Sequence, residues 1–250
     1  MQHLEACALL PSVVAAYGDT IRSADTTSPV PTCPGWDIAK LTRHLGTTHR
    51  WAAEMVRTRA VERVDPRTLE LGLPTDPSGY ADWITAGGEA LVAALQAADP
   101  DDAMWAWGAD QHVRFWSRRM VHETVVHTAD ATVALGGQPS LDPAVSVDAV
   151  DELLDNLPTA GYFAPKVAEL RGEGETIHLH CTDIEGEWMI TLTPTGYAWE
   201  HAHGKGSVAV RGAAGDLELL LYGRLPADSD RFTRFGDLAL FDRWLANSEL

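Results

Sequence analysis

Apolar residues recur at helical spacing through the first half of the chain. The spacing predicts four helices, at about Leu4–Ser23, Trp36–Arg59, Tyr80–Ala97 and Trp116–Leu135. A segment with three prolines, Ser28–Gly35, ends the first pattern, and Asp37 is placed to cap the second helix. Gly136 and Gly137 end the fourth pattern. Four amphipathic helices with short connections predict a helical bundle.

The second half of the chain shows the two-residue alternation of strands. Thr176–Cys181 and Glu187–Leu192 alternate on either side of a turn and predict a hairpin. Further strands are expected at Tyr197–His201 and Ser207–Arg211, so that the sheet forms a meander. Helical spacing returns at two places, Ala213–Tyr222 and Asp237–Ala246. With a boundary near residues 141–144, the sequence predicts an α+β protein of two domains, residues 1–140 and 141–250.

Composition narrows the class of protein. The chain has 250 residues, 45% of them hydrophobic and 22% charged, and its formal net charge of −17 disfavours binding to nucleic acid or to an anionic membrane. The N-terminal segment carries Glu5, Pro11 and Gly18 and lacks a basic region, which favours an amphipathic helix over a signal peptide. We therefore expect a cytoplasmic protein without a membrane span. The three cysteines are scattered, which is typical of neither a disulfide framework nor a zinc site.

Three residues on two predicted helices have the chemistry of a metal site. His44 lies on the second helix, whereas Glu123 and His127 are four residues apart on the fourth and project from one face. Two imidazoles and a carboxylate leave a coordination position open, which is typical of catalytic metal sites. The Glu-x-x-x-His spacing alone is weak evidence for a metal, because an exposed side-chain pair on a helix has the same spacing, so both interpretations stay open here.

Other histidines have weaker signals. His49 lies well round the helix from His44, and we expect it either to pack beside the metal pocket or to have no part in it. His122 is expected to pack or to face solvent.

Two His-x-His pairs each place two imidazoles on one face of a strand. They are His178 with His180, and His201 with His203. Because no cysteine or carboxylate is evident to complete a metal site at either pair, a half-exposed sheet face is the expectation.

The residues around His44 resemble those of a known family. A Pro-Gly-Trp turn places Trp36 eight residues before His44, and the segment His122–Asp130 carries Glu123 and His127. This pattern resembles the mycothiol-dependent maleylpyruvate isomerase family, a branch of the DinB-type metal-binding four-helix bundles. Residues 175–183, 199–205 and 219–224 resemble the C-terminal domain of that family, which is similar to sterol-carrier-type α+β folds.

The resemblance implies a function and a ligand set. It implies a divalent metal, usually zinc, held by His44, Glu123 and His127, and a low-molecular-weight thiol, mycothiol, that adds to an electrophilic small molecule. His49 is the candidate for contact with the thiol. Arg224 matches an arginine that the family directs toward the active site, and a surface arginine capping a helix is the alternative. Expected activities are cis/trans isomerisation of a maleylpyruvate-like acid or S-transfer. The alternative function is a non-catalytic metal- or thiol-binding stress sensor.

Overall fold

The protein is an α+β protein whose chain divides into two compact units, Met1–Ser140 and Leu141–Leu250. The structure, a computed structural model, describes residues 1–249. The first unit is helical, and the second contains a five-stranded mixed sheet. The helices are α1 (His3–Ile21), α2 (Ile38–Thr58), α3 (Tyr80–Gln96), α4 (Val113–Ala134), α5 (Pro143–Asn156), α6 (Ala214–Leu221) and α7 (Leu238–Asn247). The strands are β1 (Thr176–Cys181), β2 (Glu187–Thr193), β3 (Gly196–Glu200), β4 (Val208–Gly212) and β5 (Thr233–Gly236).

The four helices of the first unit surround one core. Both α1 and α2 pack against α3 and α4, so the helices follow one another around the core in the order α1, α3, α2, α4. The ring of Trp83 on α3 lies where a side chain at Gly46 of α2 would stand, which brings these two helices close together. The adjacent pair α2 and α4 carries the three metal candidates.

Helix α1 is long and apolar enough to cross a membrane by length and composition alone, and no other described helix passes that test. The side chains of Leu10, Val14, Tyr17 and Ile21 on α1 are buried in the bundle. This helix therefore forms part of the core of the first unit, as the amphipathic interpretation of its sequence expects.

The sheet of the second unit has the strand order β3-β2-β1-β4-β5. Strand β1 is central, antiparallel to β2 and parallel to β4. Ile177, Leu179 and Cys181 of β1 are buried on one face, and Trp188 of β2 joins that core with no exposed surface. Because side chains alternate along a strand, His178 and His180 project from the opposite face.

The structure corrects three expectations about the second unit. Helix α5 does not appear in the predicted pattern, although Asp142 caps it through the Ala144 N–H and Pro143 occupies its first turn. Strand β5 also went unpredicted, because its residues are mostly exposed and show no alternation of burial. The strands do not form a meander throughout, since β4 pairs with β1 rather than with β3.

Candidate metal centre

A tight turn before α2 sets the orientation of the first metal candidate. The Trp36 N–H donates to the carbonyl of Cys33 at 3.0 Å, and Gly35 between them has a φ of 79°, as a type II turn with proline before glycine requires. The Asp37 side chain then accepts a hydrogen bond from the Lys40 N–H at 2.7 Å and caps α2. His44 therefore lies two turns into a firmly anchored helix.

The three metal candidates converge between α2 and α4. Nε2 of His44 lies 3.0 Å from Oε1 of Glu123, and Nε2 of His127 lies 3.4 Å from the same oxygen. One ligand atom from each residue lies within 4.8 Å of the other two. His127 is buried, whereas His44 is 38% exposed and Glu123 is 21% exposed, so the group has a buried side and an open side. Glu123 and His127 are therefore not an exposed side-chain pair on the helix surface.

Positive groups surround the Glu123 carboxylate. Burial alone would raise the pKa of Glu123, but hydrogen bonds from His127 and His44 and the charge of Arg119 hold it well below its ordinary value. Nη2 of Arg119 lies 3.3 Å from Oε2 of Glu123, and the Arg119 side chain is almost fully buried. Glu123 is therefore a carboxylate anion at neutral pH, the form in which it can bind a cation.

Asp130 orients His127 from behind. Nδ1 of His127 donates to Oδ2 of the fully buried Asp130 at 2.8 Å, which directs Nε2 toward Glu123. Burial alone would lower the pKa of His127, but its contacts with Asp130 and Glu123 raise it to about 9. A carboxylate that holds the far nitrogen of an imidazole is the common outer partner of a metal-binding histidine.

Two further side chains border the group. Trp36 meets His44 edge to face with ring centroids 5.0 Å apart, and it stacks near His127 at 6.5 Å. The Cys33 thiol, to which the sequence pattern gave no role, donates to Asp130 with its sulfur 3.4 Å from Oδ2. Cys33, His127 and Asp130 also form a group close enough to hold an ion. Only the fold brings Cys33 here, 97 residues before Asp130 in the chain.

The other histidines of the bundle are buried. His49 has no exposed surface, its Nε2 lies 2.9 Å from Oγ1 of Thr124, and its Nδ1 has no hydrogen-bond partner among residues 1–249. Burial lowers the pKa of His49 to about 4, so the ring is neutral. His122 is also fully buried, as a packing role requires. A role for His49 in thiol binding stays a prediction.

Arg224 belongs to the second unit, just after α6. Its backbone N–H donates to the carbonyl of Leu219, and its guanidinium donates to the carbonyl of Tyr222 at 2.5 Å. These bonds satisfy carbonyls at the end of α6, as a helix cap does. The expected role of Arg224 in binding substrate stays a prediction.

The expectation for the His-x-His pairs is wrong in two respects. Glu187, the first residue of β2, lies against His178, His180 and His203, so a carboxylate does complete a group around them. His178 is almost fully buried rather than half-exposed. The sequence pattern missed this group because the carboxylate and one histidine come from neighbouring elements of the fold.

Comparison with known proteins covers both units. The model of the mycothiol maleylpyruvate isomerase N-terminal domain matches residues 9–132, and that of the C-terminal domain of the same family matches residues 144–243. No curated protein sequence matches this chain significantly.

Two solved structures share the fold. A crystal structure of mycothiol-dependent maleylpyruvate isomerase aligns with a TM-score of 0.59 at 15% identity, and that of a histidine-to-alanine mutant aligns with a TM-score of 0.61 at 14% identity. Each alignment covers 94% of this chain and 93% of the other. With the family models matching consecutive segments that together span most of the sequence, the chain belongs to the mycothiol-dependent maleylpyruvate isomerase family.

Proposed function

We propose that this protein is a metal-dependent enzyme that uses a low-molecular-weight thiol, mycothiol, to act on an electrophilic small molecule. The observation that carries the proposal is the convergence of His44, Glu123 and His127 on one point with an exposed side. Family membership supports mycothiol as the thiol. The strongly acidic chain fits a small-molecule enzyme better than a nucleic-acid binder, and we propose a cytoplasmic location.

The donor atoms fit a divalent metal of the zinc class. Two imidazole nitrogens and one carboxylate oxygen are ligands that zinc accepts, and three protein ligands leave a position for an exogenous group. Asp130 supplies the outer support that such a histidine ligand needs. When bound at His44, Glu123 and His127, the metal would supply a positive charge that favours the thiolate form of a thiol at neutral pH.

The surrounding residues would hold the ligands and limit water. Asp130 keeps Nε2 of His127 directed at the site, and Arg119 balances part of the Glu123 charge. Trp36 gives one apolar wall beside His44. We propose that the neutral ring of His49, which contacts Thr124, is a polar group beside the thiol pocket.

The chemistry we propose is addition of sulfur to an activated alkene. A C–S bond forms as the C=C π pair moves onto the conjugated carbonyl group, and rotation about the resulting single bond becomes free. Loss of the same thiol restores the alkene as its other isomer, so substrate and product have the same atoms. If the α-carbon takes up a proton instead, the thiol S–H has added across the double bond and the product is a conjugate. We propose that Arg224 holds a carboxylate of the acceptor.

Metal analysis combined with X-ray absorption tests the proposal. Addition of mycothiol to the zinc-loaded protein should introduce a sulfur neighbour at about 2.3 Å from the metal. The same change should be absent in the His127→Ala protein. A spectrum with only nitrogen and oxygen neighbours after thiol addition would contradict the thiol chemistry.

Turnover separates an enzyme from a sensor. The zinc-loaded protein should convert a cis-configured, carboxylate-bearing enone to its trans isomer, or to a mycothiol conjugate, only when the thiol is present. Thiol binding without either product, accompanied by a change in shape on metal removal, would instead support the sensor function.

A further inference from the structure

Three histidines surround one carboxylate on the sheet of the second unit. Glu187 and its neighbours His178, His180 and His203, which we call the sheet cluster, each offer one ligand atom within 4.8 Å of the others. The cluster lies on the face of β1 and β2 opposite Ile177, Leu179 and Trp188. The proposed thiol chemistry uses none of these residues.

The distances show that the imidazole nitrogens converge on the carboxylate. Nε2 of His178 lies 3.1 Å from Oε2 of Glu187, and Nδ1 of His203 lies 2.7 Å from the same oxygen. Nδ1 of His180 lies 2.7 Å from Oε1. Three rings from two elements therefore point at the two oxygens of a single side chain.

The contact of His180 is not an aligned hydrogen bond. Its Nδ1 is buried and close to the carboxylate, yet it has no hydrogen-bond partner of acceptable geometry among the described residues. A buried imidazole nitrogen without such a bond costs free energy unless another group satisfies it. A cation between Nδ1 and Oε1 would satisfy both atoms.

Local structure explains why these residues meet. His180 and Glu187 are direct partners across the β1–β2 hairpin, and His178 lies two residues before His180 on the same face. The chain leaves β3 at the edge of the sheet and returns to β4 beside β1, so residues 201–207 cross β2 and β1. They do so on the face of Glu187 and His178, which His203 and Gly206 contact. His203 lies in this crossover.

Gly206 lets the crossover pass close to the sheet. A side chain at this position would crowd Cβ of His178 at 3.1 Å and its backbone nitrogen at 3.0 Å, and would collide with the carbonyl of Val208. The crossover therefore lies directly against His178, which is only 3% exposed. His203, with 76% of its side chain exposed, covers the outer side of the cluster.

We propose that His178, His180, Glu187 and His203 bind one divalent cation of the zinc class. Three imidazole nitrogens and one carboxylate oxygen suit zinc in both ligand type and number. Four protein ligands make a closed site, which is typical of a structural rather than a catalytic metal. The ion would fasten residues 201–207 to β1 and β2. This inference does not depend on the proposed thiol chemistry.

His201 provides a matched control, since it is a neighbouring histidine directed elsewhere. Its Nδ1 lies 2.9 Å from the backbone carbonyl of Glu187, and its Nε2 lies 3.2 Å from Oδ1 of Asp151 on α5. Its ring therefore contacts the same strand without pointing into the sheet cluster. His201→Ala removes an imidazole from the crossover and leaves all four proposed ligands in place.

The test measures zinc binding to the full chain by competition with a chromophoric chelator. The His127→Ala background removes a ligand of the bundle site, so one remaining tight zinc ion per chain is expected. Adding Glu187→Gln, which nearly preserves side-chain shape, or His203→Ala, an exposed position, should weaken this binding by about 100-fold or more. Adding His201→Ala should change it by less than about threefold.

Two results would overturn the proposal. One is the absence of tight zinc binding in the His127→Ala protein when circular dichroism shows it folded. The other is equal zinc affinity in the Glu187→Gln, His203→Ala and His201→Ala proteins on that background. As an independent readout, zinc should raise the Tm of the His127→Ala protein and should fail to do so once Glu187→Gln is added.

Discussion

The bundle and the sheet each gather histidines around one glutamate, but they do so by different means. In the bundle, Glu123 and His127 are one turn apart on α4, and His44 comes from the adjacent α2. In the sheet, His178 and His180 are two residues apart on β1, while Glu187 comes from the neighbouring strand. The first group is brought together by the four-residue spacing of a helix face, and the second by the two-residue spacing of a strand face and the register of the β1–β2 pair.

The surroundings of the two groups also differ. A buried carboxylate, Asp130, supports the bundle histidine His127, and the three metal candidates leave one side of the group open. In the sheet cluster the fourth side is occupied by His203 from an exposed crossover. An open site whose histidine is held by an outer carboxylate is typical of catalytic metals, whereas a site with four protein ligands, one of them from a loop, is typical of structural metals. The comparison therefore predicts different consequences when each is broken.

The largest effect is expected from His127→Ala. Loss of this buried ligand should weaken zinc binding at the bundle site by at least about 100-fold and abolish thiol-dependent turnover, because the three ligands act as one site. The zinc content measured by metal analysis should fall from two ions per chain to one. His112→Ala, at the half-exposed N-cap of the same helix, is the control and should retain both ions. Two tightly bound ions in His127→Ala would exclude this ligand set.

Asp130→Asn should weaken zinc at the bundle site by about 10- to 100-fold. The amide cannot offer the Nδ1–H of His127 a charged acceptor, so the ring should be held less firmly and should become less basic. Chelator competition checks this value, with Asp19→Asn on the exposed face of α1 as the control. Affinity at the sheet cluster should stay unchanged, and an equal loss at both sites would indicate general unfolding instead.

Arg224→Lys should lower kcat/KM by about tenfold while metal content stays normal. A guanidinium holds a carboxylate at two points and an ammonium does not, so charge alone cannot replace it. Steady-state kinetics with a carboxylate-bearing acceptor measures the effect, and Arg231→Lys, which pairs with Asp216, is the matched control. A change within about twofold, or roughly 0.4 kcal/mol, would leave Arg224 as the cap of α6.

Gly206→Ala should weaken zinc at the sheet cluster by about tenfold, since the added methyl group forces the crossover away from His178. The bundle site should keep its affinity. Gly161→Ala is the control, because a methyl group there meets no other atom within 4 Å. If Gly206→Ala bound zinc as tightly as the control, the close passage of the crossover would not matter for the cluster.

The smallest effects are expected from one hydrogen-bonded tyrosine in each unit, the buried Tyr17 and the half-buried Tyr197. Tyr17 bonds to Thr42 at 2.9 Å, Tyr197 donates to the carbonyl of Leu154 at 2.7 Å, and burial raises the pKa of both phenols above the ordinary value. Because the unfolded chain loses these protons near pH 10, the free energy of unfolding should fall as pH rises above 10.

Tyr17→Phe and Tyr197→Phe should each cost about 1 kcal/mol at neutral pH. Each should also make the alkaline loss of stability less steep, which urea denaturation at about pH 8 and about pH 10.5 measures. An unchanged steepness in both variants would mean that neither phenol is responsible.

The sequence allowed the four helices of the bundle to be predicted within a few residues of their ends, because each has a strong apolar face or a clear stop. The Asp37 cap is confirmed. Helix α5 was not predicted although Asp142 and Pro143 are a good helix start, because the change of pattern near residue 141 indicates a domain boundary at the same place. The pairing of β4 with β1 could not be derived locally, because strand order depends on tertiary packing.

The two clusters differ in how much of each was visible in the sequence. Glu123 and His127 share one helical face, and the Pro-Gly-Trp turn before His44 resembles a known pattern. The pairing of His180 with Glu187 could have been predicted by counting outward from the hairpin turn, because the two residues lie on either side of it. The positions of His203 and Cys33 beside these clusters could not be predicted, because each residue lies in an irregular segment whose path depends on the fold.

The crossover that carries His203 has more length than it needs. Passing from β3 to β4 spans three strand spacings, or about 14 Å, whereas seven extended residues, 201–207, reach about 24 Å. With this slack, an exposed crossover position such as His203 can change at little cost to the sheet. A lineage could therefore gain or lose His203 by one codon change and keep its fold, whereas changing Glu123 would remove the carboxylate that pairs with the buried Arg119. The sheet cluster is thus the more evolvable of the two.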